Sequence, residues 1–120
     1  MREFPSPPET LIQPDEYAWG DTMASLDERM ARHVTNRLAE RFGQARELHY
    51  VARNPETVQN LEQWYLERLG GEWEPLDLAG TFGPGEAGFG FARGDQAIVA
   101  AWLQPQANGR VPVTFFHYGT

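Results

Sequence analysis

The chain has 120 residues, 41% of them hydrophobic, with four Trp, four Tyr and seven Phe, enough apolar material for one packed domain and too much for a disordered chain. Cysteine is absent, which excludes disulfides, thiolate metal sites and thiol nucleophiles. The formal charge of −7 disfavours a nucleic-acid surface, which shows as a basic field, and the ten basic residues are all arginines scattered among carboxylates.

Residues 1–20 read as a proline-rich arm, in which Pro5, Pro7, Pro8 and Pro14 deny a helix its backbone donors. The arm is expected to be extended and to lie on the domain through Phe4, Leu11, Ile12 and Trp19. It holds no apolar run, so it reads as neither a signal peptide nor a membrane anchor, and nothing later reaches a spanning length. The expectation is a soluble chain, cytoplasmic as it stands, or of the envelope or periplasm if a leader has been removed.

Residues 21–120 read as a single domain. A first helix is expected to begin near Thr22–Ser25, with Ser25 and Glu28 as a capping box. Leu26, Met30, Val34, Leu38 and Phe42 recur every fourth residue as its apolar stripe, and Gly43 supplies a left-handed stop. His33 falls at the edge of that stripe, where solvent is expected. Glu47–Arg53 alternates as a strand. A second helix follows at once, with Asn54 as N-cap, Pro55 as its first residue and Val58, Leu61, Tyr65 and Leu69 as its stripe, ending at Gly70-Gly71. A short strand around Trp73–Leu78 precedes the glycine-rich loop DLAGTFGPGEAG.

Three strands then carry strong turn signals. Phe89–Arg93 and Gln96–Gln104 flank Gly94-Asp95, a two-residue hairpin. Gln96–Gln104 and Val111–Tyr118 flank a loop holding Asn108-Gly109. A two-residue turn there would oppose Pro105 to Pro112, neither able to donate, so pairing is expected to stop near Gln104 and resume at Val111. The order arm-α-β-α-β-β-β-β implies an α+β fold: an antiparallel sheet of four to five strands, ending in a meander, with two helices.

The segment LHYVARNPETVQNLEQWYLERLGGEWEPL runs a tyrosine-bearing strand into a helix of the form V…WY…L, then through a glycine–tryptophan step into a sheet. In this it resembles a pattern found in small bacterial envelope proteins, many of them lipoproteins of unknown function. The FPSPPETLIQP arm is similar to their lead-in. The resemblance covers roughly half the chain. It finds no counterpart for the first helix and no lipidated cysteine, and it implies a binding or accessory module with no catalytic residues to transfer.

Candidate chemistry is thin. His49 and His117 lie on strands that would place both imidazoles within reach of one metal if the strands were neighbours on a common face, but their spacing suits no ordinary zinc or copper site. No metal or other cofactor is therefore expected. Ser25, Thr114 and Thr120 sit in no nucleophile-elbow context, and pairs such as Asp27-Glu28 follow from a glutamate-rich composition. The Gly80–Gly85 loop leads into a strand, lacks a lysine and carries Glu86, so it reads as a connection and not as a phosphate cradle; Gly88 and Gly90 suggest sheet curvature or close packing.

The aromatic set Phe89, Phe91, Trp102 and Phe115 falls on one sheet face with Ile98 and Val113. Ala97, Val99, Ala101, Leu103, Phe116 and Tyr118 take the other, so the central strand needs cover on both sides. Either the two helices take one face each, or the aromatic face receives a partner. The resulting expectation is a non-catalytic binding module that acts through protein contact or self-association, as a homodimer if both helices share a side. The alternative is a small enzyme or apolar-ligand carrier with a pocket between the aromatic face and the helices.

Overall fold

The computed structural model describes residues 11–12, 21–69, 71–105 and 109–119. Around one antiparallel sheet of strand order β1-β2-β6-β5-β4-β3 stand three helical segments. In chain order the elements are β1 (Leu11–Ile12), α1 (Asp21–Phe42), β2 (Ala45–Ala52), α2 (Pro55–Gln59), α3 (Leu61–Leu69), β3 (Glu74–Pro75), β4 (Glu86–Arg93), β5 (Gln96–Leu103) and β6 (Val111–Tyr118). This is the α+β architecture that the order of helical and alternating patterns implies. Among the described residues no helix is long and apolar enough to cross a membrane.

α1 begins at Asp21, which puts Ser25 inside the helix, so the Ser25–Glu28 pair is not its cap. At the other end the Gly43 amide reaches the Ala39 carbonyl at 2.9 Å with a φ of +78°, the left-handed stop that glycine adopts without strain. The second helix begins as read: Asn54 Oδ1 accepts from the Thr57 amide at 3.1 Å, and Pro55 opens the helix. It is broken once, at Asn60, whose side-chain amide donates to the Glu56 carbonyl. Asn in mid-helix competes for backbone partners in this way, and two short segments result.

The meander is built on Gly94, whose φ of +61°, followed by an Asp95 whose φ is not positive, fits a two-residue turn with glycine first. β5 and β6 pair from Ala97↔Tyr118 to Trp102↔Val113, and the strands end at Leu103 and begin at Val111, clear of Pro105. β2 closes on the far side of β6 along its whole length. β1 pairs Leu11 with Ala52 and Ile12 with Val51, so that part of the arm does lie on the domain; Phe4 and Trp19 lie outside the described residues. The strand expected over 73–78 reduces to Glu74–Pro75, with the Leu76 amide bonded to the Gly90 carbonyl at 2.8 Å. β4 starts earlier than expected, at Glu86, taking the end of the glycine-rich segment into the sheet.

The helices take opposite faces. Met30, Val34, Leu38 and Phe42 of α1 pack on Ala97, Val99, Ala101, Leu103, Phe116 and Tyr118. Val58, Leu61, Tyr65 and Leu69 of α2 and α3 pack on Phe89, Phe91, Ile98, Val113 and Phe115. The central strand β5 is thus covered twice within one chain, and the reason given above for a homodimer, two helices on one side, does not hold. On the α1 face, β4 presents Gly88 and Gly90 in place of side chains, and Leu76, Leu78 and Phe82 of the preceding segment fill that space.

Candidate functional site

The four aromatic residues do share a face, but three of them are core. Phe89, Phe91 and Phe115 are buried beneath the second helical pair, where the Tyr65 ring stands 6.1 Å from Phe89 and 5.7 Å from Phe115. The face is closed because the apolar stripe of α2 and α3 needs it as much as the sheet needs cover. Trp102 differs. It is half-buried at the margin, its ring 5.9 Å from Phe89.

β2 and β6 are neighbours, as a joint metal site would require, yet His49 and His117 lie on opposite faces of the sheet. His49 opposes Thr114, on the α1 side, with Nδ1 3.1 Å from Thr114 Oγ1. His117 opposes Arg46, on the other side. An odd register offset in a pleated sheet always separates two side chains in this way. The two imidazoles therefore do not converge, and among the described residues no group of three or more His, Asp or Glu could hold a metal ion. Burial and the Arg46 charge push the His117 pKa down to about 4, so the ring is neutral at pH 7.

A cleft of about 380 Å³ opens at the Trp102 margin. One wall is the start of the second helix, with Pro55, Val58 and Gln59; the other is the sheet end, with Trp102, Leu103 and Val111. Gly85, Glu86 and Ala87 form a third side, and Gln104 and Pro105 the rim. The site exists because β5–β6 pairing stops short of Pro105, while Asn54-Pro55 starts a helix immediately after β2. Its size falls within the range of small-ligand sites. The Glu86 carboxylate points to the other face of the sheet, so the lining is uncharged: apolar walls and two exposed carboxamides.

On that other face lies a cluster whose assembly was not legible in the sequence. The Glu86 side chain is fully enclosed, covered by two α1 side chains that are themselves about half exposed. His33 Nδ1 donates to Oε1 at 2.7 Å, Arg29 Nε donates to Oε2 at 3.3 Å, and the Gly83 amide donates to Oε1 at 3.2 Å. Desolvation alone would raise the Glu86 pKa; the bonds from His33 and Gly83, the His33 charge and the Arg29 bond outweigh it and hold the carboxyl below its ordinary range. His33 is thus not a free surface residue. The available signal was a pair of basic side chains one helical turn apart, Arg29 and His33, at the edge of an apolar stripe. Their acceptor lies more than fifty positions away and could not be named from that pair.

Compared with family models, with curated proteins and with solved structures, the chain finds no match in any of the three.

Proposed function

We propose that this chain is a non-catalytic binding module whose working surface is the Trp102 cleft, and that the cleft takes an uncharged apolar group of a protein partner. The observation that carries this reading is the lining of the cleft. Among the described residues an indole, two prolines and the Val58 and Val111 side chains surround about 380 Å³ without a charge turned inward. A charged group entering such a site would lose its hydration with no counter-ion in return, whereas an apolar side chain gains from burial. The carboxamides of Gln59 and Gln104 are exposed at the edges and do not converge on a buried point, as an enzyme's orienting groups would. The resemblance to small envelope domains points the same way.

Titration with the neutral fluorophore Nile red tests this reading. Trp102→Ala and Gln59→Glu, which puts a charge at the exposed edge of the cleft, should each weaken binding while the denaturation midpoint stays that of a folded domain. Unchanged affinity in both variants would remove the cleft as the working surface.

A second reading, a small enzyme, draws on the His33–Glu86 pair, since a carboxylate bonded to Nδ1 orients an imidazole as a general base requires. Hydrolysis of an activated ester that His33→Ala abolishes would favour it.

A further inference from the structure

The cleft and the buried carboxylate share one turn of chain. Gly83 to Glu86 is closed by a bond from the Glu86 amide to the Gly83 carbonyl at 3.1 Å. A Cβ added at Gly83 would stand 3.4 Å from His33 Cε1, and one added at Gly85 would stand 3.4 Å from Gln104 Cδ. The same turn therefore packs against α1 on one face of the sheet and against the cleft rim on the other. Directly after it, Ala87 is the cross-strand partner of Trp102, so the position of the turn decides where one wall of the cleft stands relative to the indole.

We propose that Glu86 is a positioning residue for the cleft, held by His33 and Arg29 on α1, so that the far face of the sheet sets the width of the binding site. The alternative for the cluster is a staple that adds stability and nothing else. The two differ in reach. A staple is felt in the denaturation midpoint, whereas a positioning cluster is also felt at an indole on the opposite face. Position is transmitted here because β4 is a continuous strand: its backbone carries Glu86 toward α1 and Ala87 toward Trp102 in adjacent residues of alternating direction. Gly83 and Gly85 add no side-chain bulk that would buffer the movement. The proposal rests on the cleft being the binding site only in what it says of ligand affinity; the mechanical coupling stands apart from it.

The experiment uses the full chain and two readouts. One is the Trp102 indole resonance, assigned by its disappearance in Trp102→Phe. The other is Nile red affinity. Glu86→Gln and His33→Gln should each move the Trp102 resonance and weaken the probe by roughly two- to thirtyfold, the range of coupling through packed elements. The double variant should be no worse than the more severe single, because both act through one contact. If the midpoint falls while the resonance and the affinity stay put, the cluster is a staple and the proposal is overturned. His33→Gln, at a half-exposed position, decides the matter should Glu86→Gln fail to fold. If both cleft variants leave Nile red affinity unchanged, the cleft reading is what fails, and the resonance alone then judges the coupling.

Discussion

At Glu86 an enclosed carboxylate has donors from two elements, and the energetics of burial follow from what happens when one is taken away. His33→Ala leaves the charge enclosed with one fewer bond and should cost about 1–3 kcal/mol, more than a surface change; a loss within roughly 0.5 kcal/mol in denaturant titration would mean that solvent replaces the imidazole freely. The opposite sign is expected at Tyr65. Among the described residues its hydroxyl has no hydrogen-bond partner although it is buried, and burial, then the nearby Tyr50, raises its pKa. Tyr65→Phe removes a desolvated group and keeps the ring, so stability should rise by about 1 kcal/mol; a fall would reveal a bridging water. His117 supplies the pH dependence. Its pKa is about 4 when folded against an ordinary 6.5, so the unfolded chain takes up the proton first as pH falls. The protein should lose stability progressively between pH 6.5 and 4, with Glu86 adding a further loss below the ordinary carboxylate range. Denaturation midpoints along that series should flatten in His117→Gln, and an unchanged slope would assign the loss elsewhere.

At the scale of elements, the legible features were those set by a few adjacent residues. Asn54-Pro55 announced a helix start, Gly94-Asp95 a tight hairpin, and the spacing from Met30 to Phe42 a stripe, because each works through local backbone geometry. The two sheet faces were legible as well, since alternation fixes them in any register that keeps the hydrophobic set together. Which helix covers which face was not, because that depends on how the chain crosses the sheet beyond β2. A pocket between the aromatic face and the helices was among the expectations, but its place was out of reach for the same reason: it forms where elements from three parts of the chain end together. Gly88 lies between these cases. Its sequence context left sheet curvature and close packing both open, and the structure names the neighbours: a Cβ there would stand 2.4 Å from the Ala100 carbonyl oxygen and 2.7 Å from Phe82 Cζ. Gly88→Ala should therefore cost about 1–3 kcal/mol or more, as overpacking against backbone does. Gly71→Ala, with nothing among the described residues within 4 Å of the added Cβ, should be close to neutral. Equal midpoints for the two variants would mean that β4 shifts freely beneath Phe82.

For the whole molecule, the layer order helix–sheet–helix satisfies both faces of the sheet inside one chain. Light scattering at micromolar concentration should accordingly return the monomer mass of 13.6 kDa; a dimer would show that some other surface drives self-association. The same layering has a kinetic side. β4, β5 and β6 are joined by short connections, so they can find one another early and at little entropic cost. The β2–β6 ladder pairs Ala45 with Tyr118 and Ala52 with Val111, and it closes a loop containing α2, α3 and the strands β3, β4 and β5. Such a seam is expected to zip last and to part first. Native-state hydrogen exchange would then show β2 opening ahead of the meander, with α1, which packs on β5 and β6, protected together with those strands.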